Sequence, residues 1–175
     1  MIKNKKGFTL VELLAVIVIL ALIMSIDIVS MTGIMENARY STFNDTARSI
    51  ISGVRSQLLA ANQLRAGDYY FTASVLENNG KLPFGGGIQY VSSPSGTQIG
   101  SGIYSAGNGT TLTCAKAGNS PSFVRVAQDG NGKYTFSICI GNDSTGSGYK
   151  YMKLTSETDL QDNTKAGIYD LGKDS

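Results

Sequence analysis

The chain has 175 residues, with 15 basic and 13 acidic side chains, 21 glycines, two cysteines, and neither histidine nor tryptophan. That length fits one domain with a modest core. Without histidine the usual general base and any Cys–His pair are missing, and two cysteines alone do not make a zinc site. Removing Lys3, Lys5 and Lys6 turns 15 basic against 13 acidic residues into 12 against 13. The basic balance therefore belongs to the first few residues and gives no support for nucleic-acid binding.

In chain order, a short cationic leader, Met1 to Gly7, meets an apolar run from Phe8 to Ile26 that carries one charge, Glu12. An apolar helix of roughly 18–20 residues matches a hydrocarbon core about 30 Å thick. A secretory signal would place a small-residue cleavage site after the apolar core. Here Ser25-Ile26-Asp27-Ile28-Val29-Ser30-Met31 offers none. The processing point expected instead is Gly7–Phe8, where a residue without a side chain admits close approach of a protease. Lys3, Lys5 and Lys6 hold the leader on the cytoplasmic face. Glu12 is costly in a bilayer, on the order of 2.5–3.5 kcal/mol at its centre. Its place one turn into the helix offsets about 0.3–1 kcal/mol of that through the helix dipole.

Gly7-Phe8-Thr9-Leu10-Val11-Glu12 followed by an apolar segment resembles the class III signal of type IV pilins and their pseudopilin relatives. The resemblance covers about Lys3 to Val29. It implies cleavage after Gly7 by a prepilin peptidase, N-methylation of Phe8, and storage in the cytoplasmic membrane before assembly. It further implies polymerisation into a surface filament of identical subunits by pilus assembly machinery. Glu12 would then face the Phe8 amine of a neighbouring subunit, a pairing that makes a buried carboxylate tolerable. Family members often carry a proline in the anchor helix, whereas none occurs between Phe8 and Leu64. Gly33 or the Asp27–Ser30 region is the candidate for a bend.

Past Gly33 an apolar stripe of Phe43, Ala47, Ile50, Ile51, Val54, Leu58 and Ala61 recurs at helical spacing. This predicts one helix from about Phe8 to Leu64, about 85 Å at 1.5 Å per residue. Residues 8–30 form its membrane and filament-core half, and 31–64 its amphipathic half. Arg65-Ala66-Gly67-Asp68 is the expected stop, and 65–175 the globular β domain. Within it Tyr69 to Gly87 reads as irregular. Strands are expected near Ile88–Val91, Thr111–Cys114, Ser122–Gln128, Lys133–Ile140 and Tyr149–Leu154. The clearest hairpin sets Val124–Gln128 against Tyr134–Ile138 through Asp129-Gly130-Asn131-Gly132. Alternation puts Tyr134, Phe136, Ile138 and Ile140 on the face toward the helix. Ser92–Gly109 and Gly141–Gly148 read as exposed loops.

Cys114 and Cys139, an even number on an exported domain, permit a disulfide worth about 3–4 kcal/mol. A structural bridge is favoured over two free thiols, with Cys139 on the more polar face of its strand. Glu157, Asp159, Asp162, Asp170 and Asp174 read as a solvated acidic tail, because their spacing does not match an EF-hand loop. Gly85-Gly86-Gly87 lacks the ending of a phosphate loop. The expectation is an α+β protein of the type IV pilin fold, a long N-terminal α-helix packed on an antiparallel sheet. No catalytic residue, cofactor or metal is expected. A type IV pilin is expected before a pseudopilin of a type II secretion or competence system, and a minor pilin is a third possibility. Surface loops would then serve adhesion, motility or biofilm contacts.

Overall fold

The computed structural model describes residues 9–72, 80–90, 96–100, 102–107, 110–115, 121–142, 150–162 and 167–170, with 26–32, 161–162 and 169–170 described for their backbone alone. One helix, α1 (Leu10–Ala60), is followed by β1 (Gly67–Phe71), β2 (Thr97–Gly100), β3 (Ile103–Ser105), β4 (Phe123–Gln128), β5 (Tyr134–Ile140), β6 (Lys150–Ser156), a 3₁₀ turn (Asp159–Asp162) and β7 (Ile168–Asp170). The fold is α+β, an N-terminal helix with an antiparallel sheet, as the type IV pilin fold requires. The chain divides into two compact units, Met1–Ala38 and Arg39–Ser175.

In the first unit the apolar side chains of α1 stand in solvent all round, from Leu10 at 80% to Val18 at 48% exposed. Among the described residues no helix is long and apolar enough to cross a membrane. Of the expected span, side chains are described from Thr9 to Ser25. Helix α1 runs unbroken through Gly33, the candidate for a bend.

The second unit buries the expected stripe. Phe43, Ala47, Ile51, Val54 and Leu58 are fully buried and Ile50 nearly so. They share one core with Tyr69, Val124, Val126, Phe136, Ile138 and Ile140. Each of the large aliphatic and phenylalanine side chains contributes about 1.5–3 kcal/mol on leaving water. The helix ends at Ala60, short of the expected Leu64. Asn62 adopts a left-handed φ of 51°, its N–H donates to the Leu59 carbonyl, and the Gln63 N–H donates to the Leu58 carbonyl. That pair of bonds is a Schellman motif with asparagine in the place glycine usually fills.

The seven strands order as β2-β3-β1-β4-β5-β6-β7, every pair antiparallel. The β4–β5 hairpin has the expected register, Val124 opposite Ile138 and Gln128 opposite Tyr134. In its turn the Asp129 carboxylate accepts from the Asn131 and Lys133 amides, and Gly132 takes the positive φ, 82°.

Other expectations fail for identifiable reasons. Tyr69–Phe71, read as irregular, belongs to β1, which lies between β3 and β4. Its run Asp68-Tyr69-Tyr70-Phe71 is buried on both faces, so it shows no alternation to read. Ser92–Gly109, read as a loop, contains β2 and β3. Strand β2 is an edge with no buried residue, which leaves no apolar signature. Thr111–Cys114 forms no strand, and Ile88 makes one isolated bridge with Asn142 instead of a ladder. In the tail read as acidic and solvated, β7 pairs with β6, and Leu160 is buried in the core.

Tyr90 packs edge-on to Phe71 at 6.3 Å between ring centroids. Its hydroxyl is buried and has no hydrogen-bond partner among the described residues. Gly80, at φ 70°, gives it room, because a Cβ there would lie 1.9 Å from that oxygen. Burial pushes the Tyr90 phenol up to about 12, against roughly 10 in an unfolded chain. Below pH 10 both states are neutral and the difference contributes nothing. Between pH 10 and 12 the unfolded state ionises first, so stability falls as pH rises. In urea melts from pH 9 to 11.5, Tyr90→Phe should show a shallower alkaline decline than the parent, with stability at pH 7 equal or slightly higher.

Candidate functional site

The helix start is built by its own residues. Thr9 precedes the first helical residue, and its backbone N–H donates to Glu12 Oε2 at 2.9 Å while its hydroxyl donates to the same oxygen at 3.0 Å. The Glu12 amide donates back to the Thr9 hydroxyl oxygen at 3.3 Å. This is a capping box, Thr-x-x-Glu, in which two orphan amides of the helix end are satisfied reciprocally. The carboxylate thus has a structural task as well as its place in the signal. Sequence reasoning took Glu12 and missed Thr9, although Thr9-Leu10-Val11-Glu12 before an apolar run is the written form of the motif. Gly7 and Phe8 lie outside the described residues.

Cys114 and Cys139 are joined in a disulfide, with Cα atoms 5.9 Å apart. Cys139 was placed on the polar side of β5, yet it is fully buried. It belongs to a second apolar cluster with Tyr70 and Phe123, flanked by Tyr104, Leu112, Cys114 and Leu154. Tyr70 and Tyr104 stack there at 5.6 Å with planes 6° apart. The sheet therefore has apolar clusters on both faces. Thr135 and Ser137 made the outer face look polar because they lie in the first half of β5, ahead of the buried Cys139, where that face is less covered.

Beside this cluster Asp68 is 4% exposed. Arg125 clamps it with two bonds, Nε to Oδ1 at 2.6 Å and Nη2 to Oδ2 at 2.8 Å. The Leu112 N–H donates to Asp68 Oδ2 at 2.6 Å, and Arg125 Nη2 also donates to the Leu112 carbonyl at 2.8 Å. The segment expected as a strand thus spends its backbone groups on an ion pair, and no pattern in the sequence announces it. The Asp68 hydrogen bond holds the Arg125 pKa above its ordinary value. A cavity of about 710 Å³ opens beside the pair, lined also by Arg65, Thr97 and Gln128.

Of the tail acids, Glu157 and Asp159 have described side chains; those of Asp162 and Asp170, and all of Asp174, lie outside the described residues. Glu157 pairs with Arg55, whose guanidinium lies 4.2 Å from the centre of the Phe136 ring. Asp159 and Ser156 bond each other at the start of the 3₁₀ turn. Among the described residues no group of three His, Cys, Asp or Glu side chains could hold a metal ion.

A family model described as the prokaryotic N-terminal methylation motif matches residues 2–26. The chain carries the class III prepilin signal. That signal, shared by type IV pilins and pseudopilins, marks a substrate of prepilin peptidase destined for a filament. It also points to membrane insertion before assembly. No curated protein and no solved structure matches the chain.

The buried ion pair makes a quantitative expectation. Arg125→Met should cost about 3–5 kcal/mol, since it leaves a buried carboxylate unpaired. Adding Asp68→Leu should recover part of that, less about 1–3 kcal/mol for the orphaned Leu112 amide. Urea denaturation of the detergent-solubilised chain measures both.

Proposed function

We propose that this prepilin-type chain is a structural subunit that polymerises into a type IV pilus. The observation that carries the reading is the surface of α1 between Leu10 and Met24, where large apolar side chains stand 48–80% exposed within the methylation motif. Such a helix is not stable in bulk water as a lone surface. A membrane is the solvent that suits it before assembly, and a bundle of like helices is the solvent that suits it afterwards. In that bundle the helices form the filament core and the sheet domains tile the outside, where loops meet surfaces in adhesion or motility.

Glu12 serves assembly on this reading. Thr9 occupies Oε2 with two hydrogen bonds, which fixes the carboxylate and leaves Oε1 for the Phe8 amine of a neighbour. Charge pairing between subunits then replaces the lipid–water interface as the partner of the acid. On this reading the role is structural, and the buried Asp68 beside the cavity is neutralised by the part-exposed Arg125.

Intact mass spectrometry of filaments sheared from the cell surface tests the proposal. The expected species begins at N-methylated Phe8 and carries the intact disulfide. The same species confined to the membrane fraction would make the chain a pseudopilin or a rare subunit instead. An unprocessed chain beginning at Met1 would remove the reading altogether. In the same assay Glu12→Ala should be processed normally yet yield at least tenfold fewer filaments. Wild-type yield from that variant would leave Glu12 with only its capping task.

A further inference from the structure

Residues 110–115 cross the outer face of the sheet without joining any strand. They cover the apolar cluster of Tyr70, Phe123 and Cys139 with Leu112 and Cys114. Among the ties of this strap to the sheet, two are made by Leu112 and Cys114. One is non-covalent, the Leu112 amide and carbonyl on Asp68 and Arg125. The other is the Cys114–Cys139 bond. Cys139 is itself fixed in the β4–β5 ladder opposite Phe123, so the disulfide ties a segment outside the ladder to a strand within it. Cutting it removes no ladder hydrogen bond.

We propose that the strap is a redox-latched cover: the disulfide holds residues 110–115 over the outer-face cluster, and reduction by a dithiol releases them and uncovers Tyr70 and Phe123. Cys114 is partly exposed whereas Cys139 is fully buried, so the attacking thiolate reaches the Cys114 sulfur. A mixed disulfide forms there, the Cys114–Cys139 bond breaks, and Cys139 leaves as thiolate. The second thiol of the dithiol then closes on the first and expels Cys114. Two electrons and two protons pass to the cysteines, and the dithiol leaves as its own cyclic disulfide. In an exported domain the latch forms where disulfides persist. A subunit with reduced thiols therefore shows an apolar patch that an oxidised one hides, and this difference goes beyond the filament reading and does not depend on it.

Hydrogen exchange with mass analysis on the full chain in detergent micelles, with and without dithiothreitol, tests the latch. A Cys114→Ala, Cys139→Ala variant serves as a second route to the open state. Exchange across 110–115 should accelerate at least tenfold in both, and binding of an apolar dye should rise several-fold. Amides of the Val124–Ile138 hairpin should keep their protection. Equal protection of 110–115 with and without the bond would overturn the proposal. So would loss of strap and hairpin protection together, which would make the disulfide a staple of the whole sheet.

Discussion

Everything in the larger unit depends on one contact surface, the stripe from Phe43 to Leu58 against the inner face of the sheet. The stripe supplies seven-residue-scale spacing of apolar groups on one side of a helix, and β1, β4 and β5 supply the complementary side chains. Polar ties at its margin keep the register. Arg55 reaches Glu157 and lies over Phe136, and Arg48 donates to the Leu160 carbonyl. The Lys150 ammonium is enclosed between the rings of Tyr40 and Phe84, at 5.3 and 5.0 Å. A cation so placed keeps part of its stabilisation as it leaves water, through the negative faces of the rings.

The first half of the same helix obeys the opposite rule. Its apolar residues follow no stripe, and none from Leu10 to Met24 is covered. Amphipathic patterning therefore tells the two halves apart: a one-sided stripe finds its partner within the chain, whereas an all-round apolar surface needs lipid or other copies. Glu12 does not break this logic, because its hydrogen bonds run to Thr9 in its own first turn.

Legibility in the sequence follows how much of each element is exposed to one solvent. The signal was readable because Gly7, Phe8 and Glu12 stand at fixed offsets before an apolar run. The β4–β5 hairpin was readable because Val124, Val126, Phe136 and Ile138 alternate around an Asp-Gly-Asn-Gly turn. Strand β1 was hidden by being buried on both faces, and β2 by being buried on neither. The end of α1 was displaced because the stop signal sought was the glycine at position 67, whereas Asn62 adopts the left-handed geometry at lower cost than most residues. The outer-face cluster was least legible. It joins Tyr70, Phe123 and Cys139 from three strands with a segment that has no secondary structure, and only tertiary contact relates them.

The ties between Arg55 and Glu157 and between Arg48 and Leu160 span 102 and 112 residues of chain. The helix is synthesised first and the strands and turn that cover its stripe come last. At about 5–20 residues per second of synthesis, the buried face of α1 waits on the order of 5–20 seconds for Leu160 to exist. During that interval Phe43, Ile50 and Leu58 have no mate in the nascent chain's C-terminal third. Loop closure over such distances makes the domain a late and slow folder. A chain of this design benefits from any surface, whether chaperone or bilayer, that occupies the stripe until its own sheet arrives.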